Sequence, residues 1–211
     1  LYASKEDEWE TRKAVIDALG TNEAQVMIGV SHSHSVMFLS RDNANKSGGE
    51  LVMPYLNKIK EQIVKAVLEA RENLQEASIN WFKGSCDLAT NRDLKDSDSN
   101  KYITGYNPEV EADETLVVGK VTRSEGTILG ILVNYACHPT TLGWENELIS
   151  PDYVGAMRET IEEQYPNALC LFLLGACGEL APAHQYTGDT DIADLHGKKL
   201  GLSVLSIMHG L

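Results

Sequence analysis

The sequence has few cysteines, few aromatic residues and few basic residues. Four cysteines in 211 residues form no CxxC pair, which argues against a disulfide framework. Aromatic residues make up 7% of the chain, so we expect a mostly aliphatic core. The 18 basic residues are outnumbered by 31 acidic ones, for a net charge of -13. That balance argues against nucleic-acid binding, because counterion release needs a basic surface, and against docking on anionic lipid headgroups.

Long apolar segments are also missing. The longest apolar run, residues 168–174, is far too short to cross a bilayer. No signal peptide is visible, because residues 1–19 are charged and amphipathic rather than basic and then apolar. Leu1 is not an initiator methionine, so we expect a piece of a longer polypeptide, incomplete at both ends. With 43% hydrophobic residues, we expect residues 1–211 to form a single domain with a substantial core.

Helical and strand patterns alternate along the chain. The predicted helices cover residues 4–19, 54–74, 150–164 and 191–209. The predicted strands cover residues 25–30, 77–86, 116–122, 127–136 and 168–174, with a hairpin between the third and the fourth. Ser150 is the expected N-cap of the third helix, and residues 91–113 are expected to form a long polar loop. The order predicts an α/β fold with a mixed, mostly parallel sheet flanked by helices.

Three of the six histidines lie at or just beyond the ends of predicted strands. His32 and His34 are two positions apart, which on a strand places both side chains on one face, about 6–7 Å apart at Cα. Both could bind one metal ion, or one could bind while the other transfers a proton. The alternative is a surface turn. His138 follows another strand and is a third candidate, although a lone histidine there is more often a structural residue.

Other polar residues near predicted strand ends have weaker signals. Arg92 could bind a carbonyl oxygen or an oxyanion, but its pattern alone favours a surface ion pair with Asp93 or Asp96. Cys177 lies in a glycine-rich turn, and we interpret it as a buried thiol rather than a nucleophile. Glu179 could be a carboxylate near a site or a residue that begins a helix. The remaining histidines are expected on the surface or on helix faces: His184, His196 and His209.

Several segments, in this order, resemble the neutral/alkaline (non-lysosomal) ceramidases. Residues 26–35 are similar to that family's strand and Thr-His-Thr-His-Ser motif. Asn91-Arg92 resembles its Asn-Arg-Ser segment, and residues 130–141 resemble the stretch in which a histidine follows a strand. Residues 148–155 and 173–182 are similar to two later family turns. The chain departs from the family at Val36-Met37, where the family has Gly-Pro-Gly-Gly, and at Ala181, where it has serine.

The resemblance implies a zinc amidase that cleaves the N-acyl bond of a lipid amide. By matching position, it assigns His32 and His138 as Zn²⁺ ligands and places a further Glu and Tyr ligand beyond Leu211. It assigns His34 and Arg92 to catalysis around the scissile amide. It also implies a secreted, periplasmic or cell-surface enzyme of sphingolipid metabolism.

Three hypotheses follow. The first is a zinc-dependent amide hydrolase. The second is a non-catalytic relative that binds a ligand in the same crevice, which the changes at Val36-Met37 and Ala181 favour. The third is a cysteine hydrolase that uses Cys177 with His138, although Glu179 stands where a nucleophile elbow needs glycine.

Overall fold

A computed structural model of the chain describes residues 4–37 and 40–210. The chain divides into two compact units, one formed by Leu1–Gly29 with Met37–Gln75 and the other by Val30–Val36 with Glu76–Leu211. That residues 1–211 form one domain stays a prediction. No helix in the described ranges combines the length and the apolar character needed to span a bilayer.

The first unit contains helices α1 (Lys5–Leu19) and α2 (Val52–Glu72). The predicted first helix is confirmed, since the Ser4 side chain accepts a hydrogen bond from the Asp7 N–H and Gly20 ends the helix in the left-handed conformation. The strand predicted at residues 25–30 is wrong. A short 3₁₀ turn covers Glu23–Gln25, and the following residues form neither helix nor strand. Met27 is 84% exposed, so this apolar run is not the buried strand that its composition predicts.

The second unit is built on sheets. Within the described residues, its strands are β1 (Ser78–Ser85), β2 (Ala89–Asn91), β3 (Asp93–Lys95), β4 (Tyr102–Thr104), β5 (Thr115–Thr122), β6 (Ile128–Tyr135), β7 (Leu169–Leu174) and β8 (Leu180–Pro182). The main sheet has the order β1-β5-β6-β7, and two two-stranded sheets pair β2 with β8 and β3 with β4. The expected long loop therefore contains a short hairpin.

The mixed α/β class is confirmed, but the sheet is not mostly parallel. β1 with β5 and β5 with β6 are antiparallel pairs, and only β6 with β7 is parallel. The tight hairpin between β5 and β6 makes that pair antiparallel, since a short turn cannot join parallel strands, and the predicted strand at residues 25–30 is not part of the sheet. The single parallel pair places the ends of β6 and β7 at one edge of the sheet, where functional groups of α/β proteins collect.

Helices α3 (Tyr153–Gln164) and α4 (Thr190–His209) share the core of this unit with the main sheet. The core contains Val118, Ile131, Val133, Phe172, Met157 and Leu200. α3 begins later than predicted, because Asp152 rather than Ser150 is its N-cap. The two helices cross closely at Gly197, which has no side chain to separate them.

Replacing Gly197 by alanine is expected to destabilise the protein by about 2 kcal/mol or more. A Cβ there would lie 2.4 Å from the Tyr153 carbonyl oxygen and 2.7 Å from the Met157 nitrogen, so backbone must move. The free energy of unfolding, measured by urea denaturation, tests this. Gly29→Ala is the control, since a Cβ at Gly29 meets nothing within 4 Å. An unchanged midpoint for Gly197→Ala would contradict the close crossing.

Candidate metal centre

His138 is held just beyond the end of β6 by the turn that follows β7. It is 7% exposed. Its backbone N–H donates to the Leu180 carbonyl at 2.9 Å, and its Nδ1 lies 2.6 Å from the Cys177 carbonyl oxygen and 3.2 Å from that of Leu180. Because both partners of Nδ1 are acceptors, Nδ1 carries the hydrogen and Nε2 is the unprotonated nitrogen with a lone pair. A hydrogen-bonded Nδ1 is how proteins usually orient a metal-binding histidine.

The segment Val30–Val36 carries the other two histidines to the same place. The backbone N–H of His34 donates to the Pro139 carbonyl at 3.2 Å. On either side of His34, the Ser33 hydroxyl donates to the Ser150 carbonyl at 2.7 Å and the Ser35 hydroxyl to the Gly143 carbonyl at 3.2 Å. His32 has φ of 66°, a conformation that is rare for a residue with a side chain. The segment is therefore held by its neighbours rather than by strand pairing.

His32, His34 and His138 form one cluster. Their ring centroids lie 5.0 Å apart for His32 and His34, 5.1 Å for His32 and His138, and 5.6 Å for His34 and His138. One nitrogen from each ring lies within 4.8 Å of the others, in the part of the chain that the structure describes. Nitrogen ligands of a tetrahedral zinc ion lie about 3.3 Å apart. Modest side-chain rotations therefore bring three imidazoles to the donor geometry that zinc uses.

The protonation of these histidines also suits a metal. Desolvation lowers the pKa of His32, His34 and His138 below the ordinary histidine value. The neutral imidazole is the form that binds metal ions. The lowered pKa values therefore favour the form that binds metal, and the cluster is partly buried and open on the His34 side, where the side chain is exposed.

Arg92 lies beside the cluster. Its Nε donates to the Gly178 carbonyl at 2.9 Å, and its Nη2 lies 3.3 Å from His138 Nε2. The surface ion pair that its pattern favours is not formed among the described residues. Asp96 instead accepts hydrogen bonds from the backbone N–H groups of its own turn. The guanidinium is therefore held beside the cluster, and its remaining N–H groups can donate to a ligand.

The other candidates lie outside the cluster. The four cysteines are free and buried, and burial raises the pKa of Cys177, which disfavours a thiolate nucleophile. Glu179 has an exposed side chain and contributes its carbonyl to the Arg92 N–H at 2.8 Å. Two of the remaining histidines have hydrogen-bond partners elsewhere, His196 with Thr141 and His209 with Tyr165.

Asp152 is the residue near the site that the sequence patterns missed. It is 3% exposed and has φ of 55° without being glycine, a strained conformation of the kind that collects at functional sites. Its carboxylate accepts hydrogen bonds from the Leu142 N–H at 3.0 Å and the Tyr153 N–H at 2.7 Å. The Tyr153 hydroxyl in turn donates to the Cys137 carbonyl at 2.6 Å, next to His138. An Asp before a helical pattern is an N-cap signal that could have identified it.

Comparison with known proteins identifies the family of this chain. The family model described as "Neutral/alkaline non-lysosomal ceramidase, N-terminal" matches residues 11–171, well over half of the chain. The chain belongs to the neutral/alkaline non-lysosomal ceramidase family. The predicted membership of this family is therefore confirmed.

Two solved ceramidase structures have the same fold. The neutral ceramidase from Pseudomonas aeruginosa superposes with a TM-score of 0.72 and 21% sequence identity over 94% of this chain. A ceramidase complexed with C2 gives a TM-score of 0.71 and 20% identity, also over 94% of this chain. The chain spans 34% of the length of each of these ceramidases.

Proposed function

We propose that this chain carries the metal-binding part of a zinc-dependent hydrolase that cleaves the N-acyl bond of a lipid amide of the ceramide type. The observation that carries the proposal is the convergence of His32, His34 and His138, from segments far apart in the sequence, with ligand nitrogens within 4.8 Å of one another. Membership of the ceramidase family supports the amide as substrate class.

The residues fit the roles that such a reaction needs. Zn²⁺ lowers the pKa of water and polarises a carbonyl group when it is bound. His32 and the unprotonated Nε2 of His138 would hold the ion. Arg92, anchored on the Gly178 carbonyl, is placed to donate to the amide oxygen as negative charge develops on it.

His34 is proposed as the proton carrier. It is the most exposed of the three rings, so it can face substrate while the other two hold the ion. When the carbon–nitrogen bond breaks, the leaving amine nitrogen needs a proton, and an imidazole beside it can supply one taken from the attacking water. The products are a fatty acid and a free amine.

One observation favours the non-catalytic alternative. Arg92 Nη2 lies 3.3 Å from His138 Nε2, the lone pair that a metal ion needs. A guanidinium that stays there competes with the cation. A relative with this arrangement would bind a ligand in the crevice and retain no metal.

Metal analysis of the full-length protein distinguishes the zinc-dependent hydrolase from the non-catalytic alternative. We expect about one zinc ion per chain by elemental analysis. Hydrolysis of an N-acyl sphingoid substrate, followed by chromatography, should stop on chelation and return with added Zn²⁺. Zinc-free protein that does not take up the ion when it is added would contradict the proposal and support the ligand-binding alternative. Hydrolysis blocked by a thiol reagent but not by a chelator would instead favour the cysteine hypothesis.

Secretion or cell-surface location stays a prediction that rests on the family resemblance. Detection of the full-length protein in the medium or periplasmic fraction of its host would test it.

A further inference from the structure

Asp152 closes the loop between His138 and helix α3. One oxygen of its buried carboxylate accepts the Leu142 N–H at 3.0 Å, and the other accepts the Tyr153 N–H at 2.7 Å. Residues 142 and 152 are thereby held together, although they lie ten positions apart in the chain. A compact loop whose ends meet in this way is an Ω-loop, and such loops are frequently functional. We call residues 142–152 the Ω-loop.

The backbone of Asp152 has a conformation that suits glycine better than aspartate. Its φ of 55° and ψ of -154° lie at the edge of a region that is populated almost only by glycine. Strain at a residue with a side chain persists only where the surrounding structure imposes it, most often at functional sites. The strain therefore indicates that the carboxylate has a role that glycine could not fill.

The Ω-loop is bonded to the segment Val30–Val36, which carries two of the three histidines. The Ser33 hydroxyl donates to the Ser150 carbonyl at 2.7 Å, and the Ser150 N–H donates to the Ser35 carbonyl at 2.9 Å. The Ser35 hydroxyl donates to the Gly143 carbonyl at 3.2 Å. Because the segment belongs to no sheet, these bonds to the Ω-loop help to fix where its histidines lie.

Asp152 is more than an ordinary helix cap. An N-cap side chain usually accepts from the second or third residue of its helix. Asp189, the N-cap of α4, does so by accepting from the Asp191 N–H at 2.9 Å. Asp152 instead accepts from the first residue of α3 and from Leu142 across the loop. Its carboxylate therefore serves the Ω-loop as well as the helix.

The first residue of α3 connects Asp152 to the third histidine. Tyr153 is fully buried, and its N–H donates to Asp152. Its hydroxyl donates to the Cys137 carbonyl at 2.6 Å, one residue before His138. The Asp152 carboxylate thus fixes two elements, a tyrosine bonded beside His138 and a loop bonded on both sides of His34.

We propose that Asp152 is a positioning residue of the metal centre, which holds the Ω-loop closed and thereby keeps His32 and His34 in place for the ion. This inference rests on the proposed function and deepens it, because it assigns the arrangement of the zinc ligands to a residue outside the cluster. Asp152 is not itself a ligand. Without its carboxylate the ends of the Ω-loop separate, and the bonds that hold Ser33 and Ser35 weaken.

Zinc affinity of Asp152→Gly in the full-length protein tests the proposal. Glycine suits the backbone conformation and removes only the carboxylate, so a purely conformational role predicts unchanged affinity. We expect the affinity, measured by competition with a chromogenic chelator, to fall about 10-fold to 100-fold, as when other residues that orient metal ligands are removed. Asp189→Gly is the matched control, since it removes the cap of α4 and should not change zinc affinity. Wild-type affinity in Asp152→Gly would overturn the proposal.

Hydrogen exchange in the presence of excess chelator gives a readout that does not depend on the metal. The N–H groups of His34 and Ser150 are bonded to the Pro139 and Ser35 carbonyls. In Asp152→Gly we expect these two groups to lose protection while strand β6 keeps its own. If the wild type takes up no zinc and hydrolyses nothing but this loss occurs, the proposed function is wrong and the positioning role stands. Unchanged protection at both groups would refute the positioning role.

A double-mutant cycle shows whether Asp152 acts through the Ω-loop. Ser35→Ala removes the bond to the Gly143 carbonyl, and Asp152→Asn keeps the size of the side chain but can accept only one of its two N–H bonds. If both act on the same loop, together they should lower zinc affinity by less than the product of their separate fold-changes. Effects that multiply would contradict the proposal. The cycle also replaces Asp152→Gly if that variant shows no cooperative unfolding in urea.

Discussion

Replacing His138 by asparagine is expected to abolish zinc retention and to lower kcat by at least about 10³-fold, or roughly 4 kcal/mol of transition-state stabilisation. An asparagine amide nitrogen can take the place of Nδ1 and donate to the Cys177 carbonyl, which His138 contacts at 2.6 Å. It cannot supply the second ring nitrogen. The variant therefore keeps the structural hydrogen bond and loses the ligand, so activity should fall with little change in stability.

Two further variants distinguish the role of His138 as a zinc ligand from its role as a hydrogen-bond donor. His138→Gln reaches toward the Nε2 position but leaves the Cys177 carbonyl without its donor, so it should unfold more easily, by about 1–3 kcal/mol. His184→Asn is the control, since His184 is exposed and is not part of the cluster. Zinc content is measured by elemental analysis, turnover by product chromatography and stability by urea denaturation. An active, zinc-loaded His138→Asn protein would refute the ligand assignment.

Much of the framework of the site could be predicted from local patterns. Residues 116–122 and 127–136 are apolar runs around a turn, and they form the antiparallel pair β5 and β6. The run at 168–174 forms β7, beside β6. Because these signals depend on neighbouring residues in the chain, the sequence indicates that His138 lies just beyond the end of a strand. It also indicates that a glycine-rich turn follows the neighbouring strand.

The conformation of the His32 segment could not be predicted in the same way. Alternation along a strand predicts that His32 and His34 share a face, but the segment is not a strand and His32 has φ of 66°. The two rings nevertheless lie 5.0 Å apart. What holds them is a set of long-range hydrogen bonds to the Pro139, Gly143 and Ser150 carbonyls. Bonds between residues so far apart in sequence leave no periodic pattern.

The contacts of the Arg92 side chain could not be predicted from local sequence patterns either. Its sequence neighbours, Asp93 and Asp96, favour a local ion pair, whereas its side chain contacts Gly178 and His138. The pairing of β2 with β8 brings Asn91 opposite Leu180, and this places Arg92 beside the turn after β7. A short pair of three-residue strands has too weak a sequence signal to be predicted. The family resemblance pointed to the arginine where local pattern did not.

Replacing Arg92 by alanine is expected to lower kcat about 10²-fold to 10³-fold, with a smaller change in KM. Removal of one donor to a developing oxyanion has an effect of about this size, and a donor used mainly in the transition state affects kcat more than KM. Arg92→Lys should recover only part of the loss. One ammonium cannot hold the planar, two-nitrogen arrangement that contacts Gly178 at 2.9 Å and His138 at 3.3 Å.

Zinc affinity in the Arg92 variants shows whether Arg92 stabilises the oxyanion or competes with zinc for His138 Nε2. If the guanidinium stabilises the oxyanion, zinc content stays at that of the wild type while kcat falls. If it merely competes for His138 Nε2, Arg92→Ala binds zinc more tightly and turnover does not fall, which would remove Arg92 from the catalytic residues. Arg123→Ala is the matched control, because Arg123 lies at the β5–β6 hairpin, at the opposite end of these strands from His138. Zinc affinity and kcat are measured on the same preparation. Zinc affinity comes from metal competition with a chromogenic chelator, and kcat comes from initial rates at saturating substrate.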